Sequence, residues 1–165
     1  MAKKKKDEAI TITFAECIQA QTFILQRLPN GQTQKSELAK AKGETGLRAY
    51  HLRHDLREAC AAESERLGDL KKERAEVSEK IFELLPEKYS TQTQIRIEWE
   101  SEASDKKKFN ELLEKLKEVN KEIDSLYETE IKVTLKKGKF TEDEVSPYLD
   151  VEGHEILDFA IDRGE

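Results

Sequence analysis

Residues 109–126 read FNELLEKLKEVNKEIDSL, and their apolar side chains recur at alternating steps of three and four positions. The apolar positions are Phe109, Leu112, Leu116, Val119, Ile123 and Leu126. This heptad spacing places one narrow apolar stripe on a helix whose other faces are charged or polar. Since so narrow a stripe is buried best against another helix, the segment predicts a helix over about residues 105–128 that packs against a partner helix.

A second stripe of the same spacing lies earlier in the chain and predicts a long helix over about residues 47–85, ended by Pro86. Its positions are Leu56, Cys60, Glu63, Leu67, Leu70, Arg74, Val77, Ile81 and Leu84. Glu63 and Arg74 are the charged exceptions. Charges at such positions set register and partner choice, so the two residues either pair across helices or mark a place where the stripe is open to water.

Two such stripes in one chain, joined by about twenty residues, favour an antiparallel helical hairpin that buries both. The predicted fold class is therefore mainly α, an antiparallel coiled-coil hairpin with an N-terminal helix, a small β element and short C-terminal helices. A heptad stripe is satisfied equally well within one chain or between copies, so the oligomeric state stays open.

Alternating apolar residues predict two strands, over residues 94–100 and 131–136. The segment Ile10 to Phe14 also alternates and is an alternative pairing partner for either strand. Thr13 and Glu16 after it match the capping box that begins a helix. The sequence leaves the pairing of these strands open.

The composition predicts a basic mobile tail over residues 1–8, followed by one elongated helical domain over residues 9–165. Apolar residues make up 36% of the chain and charged residues 39%, a balance that suits a coiled coil better than a compact globule. No apolar run approaches the length of a membrane span, and no signal peptide is expected.

Charge is divided unevenly between the two ends of the chain. Residues 1–57 carry a net charge of +5, and residues 141–165 hold nine acidic residues against Arg163, a net of −8. An acidic end of this kind can bind a basic protein surface or mimic nucleic acid, although most such ends are simply solvated. The candidate interaction residues are Glu142, Asp143, Glu144, Asp150 and Glu152.

Candidate chemistry elsewhere is sparse. His51 and His54 with Glu58 could ligate a metal from one helix, but a solvated charged face explains them better, so no metal is predicted. Cys17 and Cys60 lie in apolar stripes and are expected to be buried free thiols. No nucleotide-binding or hydrolase motif occurs, and the sequence predicts no catalytic residue and no cofactor.

The layout resembles a loosely defined group of short phage and prophage coiled-coil proteins of unassigned function. The resemblance lies in Leu28-Pro29 after the first helix, Lys88-Tyr89 after the long helix, Phe109-Asn110 with Leu113, and Ser146-Pro147 in an acidic tail. It covers most of the chain, although residues 42–46 look like an insertion. It implies phage origin and transfers no catalytic residue.

We therefore expect a non-enzymatic phage-type protein that binds or assembles with protein through coiled-coil helices. Its partner would be a host or phage protein or a second copy of the chain, with nucleic acid disfavoured and no membrane involved. The alternatives are an inhibitor of a host nuclease or defence complex acting through the acidic C-terminus, and nucleic-acid binding through lysines 3–6. The expected location is cytoplasmic, in the host cytoplasm or the virion.

Overall fold

A computed structural model describes residues 7–163 of the chain, apart from the side chain of Arg27. The α-helices and strands are, in chain order, β1 (Glu8–Thr13), α1 (Phe14–Ile24), β2 (Leu25–Arg27), β3 (Thr33–Lys35), α2 (Glu44–Ala59), α3 (Ala61–Glu83), α4 (Lys106–Tyr127), β4 (Glu130–Leu135), β5 (Phe140–Thr141), α5 (Glu142–Val145), α6 (Val151–Ile156) and β6 (Ile161–Asp162). Short 3-10 helices cover Glu87–Tyr89, Ile97–Glu102 and Asp158–Ala160. The described chain is mainly helical with small strand elements, which confirms that part of the predicted fold class.

The chain divides into two compact units rather than the one domain predicted over residues 9–165. Of the described residues, the terminal unit contains 7–61 and 128–163, and the central unit contains 62–127. The division follows from burial, because the central segment has an apolar cluster of its own while the two ends of the chain pair with each other.

Antiparallel pairing of β1 with β4 holds the terminal unit together. The register sets Ile12 opposite Ile131 and Ile10 opposite Val133, so the apolar residues of both strands share one face. The predicted strand over residues 131–136 is confirmed as β4, and its partner is the N-terminal segment that the sequence left as one of several alternatives.

The start of the chain differs from the predicted tail at its inner boundary. Residues 1–6 lie outside the described residues, and Glu8 already belongs to β1, where it pairs with Leu135. Glu8, the last residue of the predicted tail, is therefore part of the sheet. The predicted capping box is confirmed, because Thr13 Oγ1 accepts from the Glu16 N–H at 3.1 Å and Glu16 Oε1 accepts from the Thr13 N–H at 3.2 Å.

The helix predicted over residues 47–85 is interrupted at Cys60, which separates α2 from α3. Its backbone departs from helical angles, with φ −111° and ψ 20°. Leu56 and Cys60 are fully buried in the terminal unit. There the thiol of Cys17 donates to the Leu56 carbonyl at 3.4 Å, and the side-chain amide of Gln21 donates to Cys60 Sγ at 3.2 Å. These two stripe positions therefore belong to the core shared with α1. Cys17 and Cys60 are buried thiols that form no disulfide within the described residues, as predicted.

In the central unit, the predicted helix over residues 105–128 is confirmed as α4. One buried cluster connects the end of α3 with the start of α4; its members are Val77, Ile81, Leu85, Phe109 and Leu113. Further along α4, Val119 and Ile123 are also buried. None of the described helices combines the length and the apolar character needed to cross a membrane.

The strand predicted over residues 94–100 is wrong, since Ile97–Glu102 forms a 3-10 helix. Trp99 stacks on Tyr89 with ring centroids 4.3 Å apart, while Ile97 is 59% exposed, so the alternating pattern does not define a buried face. Local backbone bonds replace a sheet partner, including one from the Trp99 N–H to the Arg96 carbonyl at 3.2 Å.

Candidate functional site

The acidic segment begins with a second capping box, which fixes where its carboxylates lie. Thr141 Oγ1 accepts from the Glu144 N–H at 3.3 Å, and Glu144 Oε2 accepts from the Thr141 N–H at 3.1 Å. This turn begins α5 directly after β5. Glu142 and Glu144 are half-buried, whereas Asp143 is exposed.

Glu144 is held by Arg48, which lies 96 residues earlier on α2. Arg48 Nη1 is 2.6 Å from Glu144 Oε2, and Arg48 Nε donates to the Lys137 carbonyl at 3.2 Å. The guanidinium carbon lies 5.9 Å from the centre of the Phe140 ring. With its side chain only 11% exposed, Arg48 anchors the acidic segment to α2 and is not available as part of a basic surface.

Glu142 forms a separate ion-pair network with His154 and Arg163. His154 Nε2 lies 3.0 Å from Glu142 Oε1, and His154 Nδ1 lies 2.9 Å from the Asp150 carbonyl oxygen. Both neighbours are acceptor oxygens, so a ring N–H can donate to either of them. Arg163 Nη1 lies 3.6 Å from Glu142 Oε2, so the guanidinium offsets the charge of this carboxylate.

Asp150 also has an internal role, as the N-cap of α6. Its Oδ1 accepts from the Gly153 N–H at 2.7 Å. Of the five acids predicted to bind a partner, Glu142, Glu144 and Asp150 thus contribute to the fold of the terminal unit. The other two, Asp143 and Glu152, are exposed and make no ion pair within the described residues.

The charged stripe positions of the central unit do not pair with each other. Glu63 and Arg74 are half-buried, and neither forms an ion pair within the described part of the chain. The ion pair between α3 and α4 is formed instead by Arg66 Nη2 and Glu122 Oε2, which are 2.8 Å apart. Both residues precede a buried stripe position, a flanking placement typical of coiled-coil ion pairs and the signal that sequence reasoning missed.

The histidine cluster on α2 is organised differently from the sequence expectation. The ligand atoms of His54, Asp55 and Glu58 lie within 4.8 Å of one another, whereas the His51 ring packs edge-on against Tyr50 at 5.6 Å. Lys136 already supplies positive charge here, with its Nζ 3.4 Å from Glu58 Oε2 and its backbone N–H donating to Asp55 Oδ2 at 3.0 Å. Through these two contacts the cluster attaches α2 to the end of β4.

The partly buried pair of Arg48 and Glu144 predicts a measurable effect on stability. We expect Arg48→Met to lower the free energy of unfolding by about 2 kcal/mol, because Glu144 would lose its charge-assisted partner in a largely buried setting. Urea titration followed by far-ultraviolet circular dichroism measures the change. The matched control is Arg66→Met, whose pair with Glu122 is about half exposed and is expected to contribute about 0–1 kcal/mol. Equal losses in both variants would contradict the anchoring role of Arg48.

No family model, curated protein or solved structure matches this chain.

Proposed function

We propose that this chain is a non-enzymatic, phage-type protein-interaction or assembly protein that acts through α3 and α4 folded as an antiparallel coiled-coil hairpin. The observation that carries the proposal is the contrast between the inner and outer faces of α4. Its stripe residues Phe109, Val119 and Ile123 are buried, while the opposite face presents exposed Glu111, Glu118 and Lys121. A helix pair with a charged outer surface and a small internal core suits protein binding.

Contacts near both ends of the two helices support the antiparallel arrangement. Arg66 near the start of α3 pairs with Glu122 near the end of α4. Ile81 near the end of α3 shares a buried cluster with Phe109 near the start of α4. Opposite ends meeting in this way are what an antiparallel hairpin requires.

The partner we propose is a protein, from the host or the phage, or a second copy of this chain, in the host cytoplasm or the virion. The inhibitor alternative is less well supported, since Glu142, Glu144 and Asp150 are engaged within the terminal unit. The nucleic-acid alternative depends on lysines 3–6, which lie outside the described residues.

Two variants with the same change in charge test which surface acts. Glu111→Lys with Glu118→Lys alters the outer face of α4, and Asp143→Lys with Glu152→Lys alters the acidic segment; all four residues are exposed. Light scattering at two concentrations measures self-association of the purified chain. Affinity purification from phage-infected cells identifies any foreign partner, whose binding is then measured with purified components.

We expect the α4 variant to lose its oligomer or partner and the C-terminal variant to keep it, because like charges at a contact oppose association. Loss in the C-terminal variant alone would contradict the proposal and favour the inhibitor alternative. Equal retention in both variants would contradict both.

A further inference from the structure

A polar groove opens within the central unit, between α3, α4 and the connecting segment at residues 93–95. Its volume is about 600 Å³, within the range of small-molecule binding pockets. We call it the Arg74 groove; it is lined by Lys71, Arg74, Ala75, Ser78, Thr93, Gln94, Ile95, Leu116 and Asn120.

The lining of the Arg74 groove is suited to an anion. It contains two cations, Lys71 and Arg74, and none of the described residues that line it is acidic. Ser78, Thr93, Gln94 and Asn120 add neutral hydrogen-bond donors. The groove is therefore positively charged, although the chain as a whole carries a net charge of −6.

Arg74 is the most informative residue in the groove because its charge has no partner among the described residues. It occupies a stripe position and is half-buried, yet its guanidinium makes no hydrogen bond or ion pair with any residue that the structure describes. By contrast, Arg48 and Arg66 each contact a carboxylate, at 2.6 Å and 2.8 Å. A charge withdrawn partly from water without a partner opposes folding, so an external anion at this position would offset that cost.

We propose that the Arg74 groove binds a phosphate monoester of small-molecule size. The planar guanidinium of Arg74 donates two parallel hydrogen bonds to the phosphoryl oxygens, and Lys71 supplies the second positive charge that matches a dianion. Ile95 and Leu116, both half-buried, provide the apolar wall for the organic part of the ligand. The proposal is independent of the interaction role of α3 and α4.

Calorimetric titration of the full chain with phenyl phosphate tests this site. We expect saturable binding of phenyl phosphate. Inorganic phosphate should compete with this binding, and phenol should not. Arg74→Gln should weaken the affinity by about tenfold or more, because the charge-assisted bonds to the phosphoryl group are lost. Arg66→Gln, two helical turns earlier on α3 and outside the groove, should leave the affinity unchanged.

Two further variants keep the test decisive if Arg74→Gln alters folding. Arg74→Lys retains the charge without the planar fork and should bind with intermediate affinity, and Lys71→Gln should weaken binding without removing a stripe residue. Circular dichroism checks that each variant is helical. Absence of saturable binding up to about 10 mM, or equal affinity of the Arg74→Gln and Arg66→Gln proteins, would overturn the proposal.

Discussion

Replacement of Phe109 by Ala should lower the free energy of unfolding of the central unit by about 3–5 kcal/mol. The Phe109 side chain is fully buried in the cluster that also contains Val77 and Ile81, so its removal leaves a cavity as well as lost apolar contacts. Trp99, the sole tryptophan of the chain, packs against the same cluster and reports on this unit. The measurement is urea denaturation followed by Trp99 fluorescence.

Ile97→Ala provides the control for Phe109→Ala. Ile97 lies in the same unit and is 59% exposed, so its truncation should change stability by no more than about 0.5 kcal/mol. If the two variants unfolded at the same urea concentration, Phe109 would not be part of a packed core, and the hairpin proposed for α3 and α4 would lose its main support.

Gly46→Ala should strongly destabilise the terminal unit. A Cβ at Gly46 would overlap the backbone carbonyl of Ala41, because the chain folds back over the first turn of α2. A backbone group cannot rotate away as a flexible side chain can, so residues 41–46 would have to move. We expect a loss of about 3 kcal/mol, measured by thermal unfolding followed by circular dichroism.

The same substitution at Gly68 should increase the stability of the protein instead of lowering it. Gly68 lies within α3, and a Cβ built there meets no atom within 4 Å. Alanine has the higher helix propensity, so Gly68→Ala should raise stability by about 0.5–1 kcal/mol. A neutral result at Gly46 would show that the close approach of Ala41 does not constrain this turn.

The elements that the sequence predicted well are those that local pattern determines. Helix α4 has a regular heptad stripe, and its observed bounds differ from the expected ones by a residue at each end. The capping box of Thr13 and Glu16 depends on two residues three positions apart and was also predicted from the sequence. Strand β4 was readable from alternation, although alternation could not select β1 as its partner.

The features that the sequence did not predict depend on residues far apart in the chain. No residue near Cys60 in the sequence indicates a helix break. The break occurs where Cys60 is buried beside Gln21 of α1, a residue 39 positions earlier in the chain. Residues 94–100 alternate like a strand but pair with no strand among the described residues; part of the segment forms a 3-10 helix in which Trp99 stacks on Tyr89. The pairing of Arg48 with Glu144 spans 96 residues, which explains why the acidic segment was read as a free surface.

The pairing of Glu8 with Leu135 in the β1–β4 sheet has a consequence for biosynthesis. Because β4 follows the whole central unit in sequence, the ribosome completes residues 62–127 before β1 can meet its partner. The central unit, built from one continuous stretch of chain, is free to fold during translation. Strand β1 remains unpaired until β4 has been synthesised. Pairing of β1 with β4 is therefore a late and long-range step in folding.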